Sequence, residues 1–60
     1  MKVKRFIIEY ASYKKQDIEN NGLMKIQFKI EKIDRIDQVL SSCKRGYITV
    51  DEAIGTLFKI

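Results

Sequence analysis

Cys43 is the one side chain in this sequence whose chemistry could serve a nucleophilic or redox reaction. A catalytic thiol needs a nearby base such as His, but the chain has no His and no second Cys. Cys43 also completes the helical spacing Ile36, Val39, Leu40 and Cys43, which forms one apolar stripe. We therefore expect Cys43 to be a buried, small apolar residue, and we expect neither a disulfide nor a zinc site.

Four carboxylates could in principle act as an acid–base pair or hold a magnesium ion: Asp34, Asp37, Asp51 and Glu52. Asp34 is better explained as a helix N-cap, and Asp51 and Glu52 as first-turn residues, where negative charge is favourable. The glycines at positions 22 and 46 lack the spacing of a phosphate-binding loop. We expect no catalytic residue, no cofactor and no metal, and hence a protein that is not an enzyme.

The net charge of +4 lies entirely in the first half of the chain, since the second half has five basic and five acidic residues. The most extended basic set is Arg5, Lys14, Lys15, Lys25 and Lys29. Such a set is typical of a surface that binds nucleic acid, but a solvated face that keeps a small protein dissolved explains it equally well.

The first half of the chain predicts two β-strands. Apolar residues alternate at Phe6, Ile8 and Tyr10, and again at Met24, Ile26, Phe28 and Ile30. A tight turn at residues 21–22 would place charge in the core, so we predict a looser connection over about residues 14–22. The resulting register pairs Tyr10 with Ile26, Ile8 with Phe28 and Phe6 with Ile30, and it sets Arg5 across from Glu31 on the other face.

The second half predicts two helices. The first carries the stripe from Ile36 to Cys43, begins at Asp34 and ends before Gly46 in a left-handed conformation, with Tyr47 folding back onto the helix. The second begins at a capping box formed by Thr49 and Glu52, with Ile48 and Ala53 as a hydrophobic staple. Its apolar face comprises Val50, Ala53, Ile54, Leu57 and Phe58.

These elements predict an α+β fold of ββαα order in a single domain of residues 1–60, a two-stranded antiparallel hairpin packed against two short helices. A domain this small, with no disulfide and two open sheet edges, gains stability by association. The apolar surplus that could serve a dimer or partner interface comprises Ile7, Tyr10, Tyr13, Ile33, Gly55 and Phe58.

The function that these features favour is a small cytoplasmic binding protein, itself a homodimer, that regulates or inhibits a larger protein partner. The competing hypothesis is a nucleic-acid-binding regulator that uses the basic set. No apolar run is long enough to span a bilayer, so a membrane is not expected as a partner. A small, basic composition rich in Ile and Lys is also common among accessory proteins of phages and mobile elements.

Overall fold

Three α-helices make up the protein. The computed structural model describes residues 2–60, with side chains from Arg5 onward. Helix α1 spans Lys2–Glu19, α2 spans Ile26–Lys44 and α3 spans Val50–Lys59. Each helix packs on the other two, and the bundle measures 35 × 18 × 15 Å.

The predicted ββαα hairpin fold is wrong, because residues 2–60 contain helices and turns and no strand. The alternating pattern at residues 24–31 is the beginning of α2, so the helix predicted around Ile36 extends back by ten residues to Ile26. A helix satisfies its backbone hydrogen bonds within a single segment, whereas the hairpin needed a long loop over residues 14–22. That loop would also have placed Ile18 outside the core, and the structure buries it.

The core is built from one apolar stripe on each helix. In α1 the stripe falls at Ile7, Ala11 and Ile18, a spacing that keeps residues on the same helical face. The eight buried residues are Ile7, Ala11, Ile18, Ile36, Val39, Cys43, Ala53 and Leu57. Only three of the larger side chains are fully enclosed, namely Ile7, Ile36 and Leu57.

The beginning of α2 differs from the expectation. Asp34 is not an N-cap, because it lies inside α2 and is exposed. The N-cap is Lys25, whose extended backbone (φ −67°, ψ 147°) makes no capping bond through its side chain. The preceding turn is held by Asn21, whose Oδ1 accepts a hydrogen bond from the Leu23 N–H at 2.9 Å.

The end of α2 confirms the predicted glycine stop. Gly46 has φ +82°, its N–H donates to the Cys43 carbonyl at 3.1 Å, and the Tyr47 N–H donates to the Ser42 carbonyl at 2.9 Å. These two bonds form a Schellman motif, which satisfies the last carbonyl groups of the helix. The Tyr47 side chain does not fold back as expected, since it is exposed to solvent.

The capping box that begins α3 is confirmed. The Thr49 Oγ1 accepts a hydrogen bond from the Glu52 N–H at 3.1 Å, and the Glu52 Oε1 accepts one from the Thr49 N–H at 3.1 Å. Ile48, on the other side of the cap, packs against the core cluster that includes Ala53. The cap therefore fixes where the chain turns back toward the bundle.

Two lysines of α2 reach the C-terminal ends of the other helices. Lys29 Nζ donates to the carbonyl of Glu19, the last residue of α1, at 3.0 Å. Lys32 Nζ donates to the carbonyl oxygen of Ile60, just after α3, at 3.4 Å. Both amines lie where a helix dipole favours positive charge. The first turn of α2 consequently extends past the ends of both neighbouring helices.

None of the described helices has the length and apolar character needed to cross a lipid bilayer.

Candidate functional site

The side chains that could do covalent or metal chemistry are used structurally or stand apart. Cys43 is buried in the core, as its position in the stripe predicted. Asp37 forms an ion pair with Lys15, and Glu52 belongs to the capping box. Within the described part of the chain, no three carboxylate, His or Cys side chains come together as they would to hold a metal ion.

The five residues of the basic set are distributed along α1 and the beginning of α2. Arg5 pairs with Glu9 at 3.4 Å on the exposed surface of α1, and Lys15 pairs with Asp37 of α2. Lys29 donates to the end of α1, as described above. Lys14 is half-buried on α1, and Lys25 is exposed at the N-cap of α2.

Spacing within α1 separates Arg5 from Lys14 and Lys15 by nine and ten residues, which is about 14–15 Å along the helix axis. The helical fold therefore does not gather the basic set on the sheet face that the sequence predicted.

The six predicted interface residues also separate. Ile7 is fully buried in the core, so it is not available at the surface. Tyr10 and Ile33 are half-buried and pack against the core, whereas Tyr13, Gly55 and Phe58 are exposed. Gly55 has open space around it, with no atom near the position that a Cβ would occupy, so no close backbone approach within the chain requires glycine there.

One exposed aromatic surface follows α1. Phe6, Tyr10 and Tyr13 fall at i, i+4 and i+7, and we call this set the aromatic strip. The rings of Phe6 and Tyr10 stack with their centroids 6.5 Å apart and 28° between their planes. Tyr10 is held against the core, while Phe6 is 58% exposed and Tyr13 71%. The strip therefore presents aromatic area to solvent from a rigid helical support.

A second exposed surface lies where α2 extends past its neighbours. We call it the apolar end, and its residues are Leu23, Ile26, Phe28 and Ile30, exposed by 99%, 74%, 47% and 63%. Along α2, Ile26 and Ile30 continue the row of the half-buried Ile33 at i, i+4 and i+7. Ile33 lies against the core, but Ile26 and Ile30 lie beyond the end of α1. The same apolar row is thus covered at one end and bare at the other.

The apolar end was missed at the sequence level, because Ile26, Phe28 and Ile30 were assigned to the core face of a strand. A usable signal was present in the helical spacing of Ile26, Ile30 and Ile33. That spacing shows that the residues share a helix face. It does not show that α1 stops at Glu19 and leaves part of that face uncovered.

An open groove also runs between α2 and the C-terminal half of α3. Its lining residues are Glu31, Lys32, Arg35, Thr56, Lys59 and Ile60. Lys32 is already engaged by the Ile60 carbonyl oxygen, and Thr56 Oγ1 donates to the Glu52 carbonyl at 2.9 Å. The remaining charges are of both signs and exposed. The groove accordingly lacks the convergent, buried polar groups that mark a small-molecule site.

Comparisons of this chain with protein families, with curated proteins and with solved structures found no match. Its function is therefore inferred from the contacts, exposure and charge of its own side chains.

Proposed function

We propose that this protein is a non-catalytic binding module that regulates or inhibits a larger protein partner by covering part of that partner's surface with the aromatic strip. The observation that carries this proposal is the exposure of Phe6 and Tyr13 on either side of an anchored Tyr10. Aromatic side chains are enriched at the energetic centres of protein interfaces. Exposed at this spacing on one helix, they favour recognition of another protein.

The strip is also ordered before any partner arrives. The Phe6–Tyr10 stack and the packing of Tyr10 against the core restrict two of the three rings. Ordering flexible side chains on binding costs about 0.5–1.5 kcal/mol each, so a strip that is ordered in advance binds more tightly than the same residues on a mobile loop. A rigid aromatic surface on a small bundle suits a protein that acts by occupying a surface.

The nucleic-acid hypothesis has weaker support. Three of the five residues in the basic set, Arg5, Lys15 and Lys29, have oxygen partners within the chain. Helix α3 carries two acidic residues in its first turn, Asp51 and Glu52, where a recognition helix would contact bases or phosphates. Basic side chains already paired, and an acidic helix start, both oppose a phosphate-binding face.

A cytoplasmic location remains part of the proposal. The single thiol, Cys43, has no Cys partner in the chain. Small secreted domains usually supplement a small core with several disulfides, and a chain without any is more typical of a reducing compartment.

A photo-crosslinking aromatic residue placed at position 13 tests the proposal in cells of the native host. Position 47 provides the matched control, because Tyr47 is as exposed as Tyr13 but lies outside the strip. We expect a protein partner to be captured from position 13 and not from position 47. Equal capture from both positions would contradict the proposal.

Titration calorimetry with the captured and purified partner then measures the affinity. Tyr13→Ala should weaken binding about tenfold or more, since truncating a central interface aromatic costs about 2 kcal/mol or more. Tyr47→Ala should leave the affinity unchanged. Capture of nucleic acid instead, with an affinity that falls steeply between low and moderate salt, would replace this proposal with the competing hypothesis.

A further inference from the structure

We propose that the apolar end, Leu23, Ile26, Phe28 and Ile30, is the interface of a homodimer in which a second copy of this chain covers it. The starting observation is that α2 passes the C-terminal ends of both α1 and α3. The contacts from Lys29 to Glu19 and from Lys32 to Ile60 mark where those helices end along α2. Residues 26–28 lie beyond both marks.

The exposed side chains at this end have the character of a core rather than of a surface. Three of the four are aliphatic, and two of them, Ile26 and Ile30, continue a row whose next member, Ile33, packs against the core. Interfaces between permanently associated copies resemble a domain core cut in half. The aromatic strip is of the other kind, with rings suited to a separate partner, so the two surfaces are assigned to different occupants.

The uncovered area fits a dimer. The four side chains expose about 500 Å² of apolar surface, which is large for a patch on a monomer of ordinary size. Two copies meeting through this patch would bury about 1,000 Å² in total, which reaches the lower limit of a specific interface before any neighbouring residue is counted. A 60-residue bundle with only three large, fully enclosed side chains gains most from such burial.

Charge also favours a second copy as the occupant. The whole chain carries +4, so two copies generally repel each other. Residues 19–31 are an exception, because they carry Glu19 and Glu31 against Lys25 and Lys29 and are neutral in sum. A neutral patch favours neither an acidic nor a basic partner, and it allows two like-charged molecules to meet there. A two-fold axis would bring the same patch of both copies together.

Sedimentation equilibrium of the full chain from low to high micromolar concentration tests the dimer. We expect the wild-type mass to rise from 7.1 kDa toward twice that value. Ile26→Glu and Ile30→Glu should each remain monomeric. Ile26 is the first residue of α2, where a carboxylate is favourable for the helix dipole, so the Ile26→Glu chain should still fold.

Phe58→Glu is the matched control, because Phe58 is exposed to a similar degree on a different helix. It should dimerise like the wild type, and far-UV circular dichroism should show helical spectra for all variants. A wild-type mass of 7.1 kDa at every concentration would overturn the proposal. Loss of the dimer with Phe58→Glu alone would overturn it too, and so would binding of the wild-type monomer to lipid vesicles through Ile26.

This inference stands apart from the aromatic strip. A monomeric Ile30→Glu chain that still binds the captured partner would separate the two surfaces, and failure of one proposal leaves the other intact.

Discussion

Ile7 and Ile8 are adjacent isoleucines that the two folds place in opposite environments. The hairpin register buried Ile8 against Phe28 and left Ile7 on the charged face. In the bundle Ile7 is 1% exposed and Ile8 is 41% exposed. The difference follows from periodicity, because a strand changes face at every residue while a helix face recurs every three or four residues. This pair therefore discriminates between the folds with the smallest possible change in sequence.

Ile7→Ala should lower the free energy of unfolding by about 2–5 kcal/mol, since a fully enclosed isoleucine loses both its burial and the packing around it. Ile8→Ala should cost about 1 kcal/mol or less, because that side chain stays largely in water. Urea unfolding followed by circular dichroism measures both values. A larger loss for Ile8→Ala than for Ile7→Ala would favour the hairpin and contradict the bundle.

At the scale of the elements, turn and cap residues were the most predictable features of this chain. The capping box at Thr49 and the left-handed Gly46 were both identified correctly, because each depends on a few residues close in sequence. The helix that follows Thr49 was predicted for the same reason. Local signals of this kind need no knowledge of the rest of the fold.

Gly46 and Gly55 give opposite predictions for the same substitution. Neither glycine has an atom that an added Cβ would strike, so only backbone conformation separates them. Gly46→Ala should destabilise the protein by about 1 kcal/mol, because φ +82° is strained for any residue with a side chain. Gly55→Ala, in the exposed middle of α3, should stabilise it by about 0.4–1 kcal/mol.

Thermal unfolding of the two single variants and of the double variant measures these effects. The two changes should roughly cancel in the double variant, as is usual for independent sites. A stabilising Gly46→Ala would show that the Schellman motif at the end of α2 is absent.

At the scale of the whole molecule, the fold of the first half was mispredicted for a physical reason. Residues 24–31 alternate apolar and charged side chains, which is a pattern of strands, yet they extend a long helix. The alternation persists because Lys29 and Lys32 lie on the inner side of α2, where they reach the ends of the other helices instead of facing solvent. A sequence pattern read alone assigns those lysines to the outside.

The candidate surfaces were likewise only partly predictable. Tyr10 and Tyr13 were identified as interface residues from their apolar surplus, and they lie together on the aromatic strip. The apolar end was not identified, since its exposure depends on the relative lengths of three helices. Relative length and register arise from packing between elements, which no single segment encodes.

The midpoint of thermal unfolding should depend on protein concentration if the apolar end joins two copies. A tenfold increase should raise the wild-type Tm by about 3–5 °C, because mass action stabilises the associated state. The Tm of Ile30→Glu should not change with concentration. Differential scanning calorimetry at several concentrations measures this, and a constant wild-type Tm would count against association.

The two amines that reach across to helix ends also give the lysines unequal chemical reactivity. Lys29 and Lys32 are half-buried and hydrogen-bonded to carbonyl oxygens, whereas Lys25, Lys44 and Lys59 are exposed. An acylating reagent reaches the exposed amines freely, but it can attack the other two only after their hydrogen bonds open. Acylation at Lys29 or Lys32 would also remove the charge that stabilises the end of α1 or α3. In this bundle, modification of one amine on α2 would loosen a different helix.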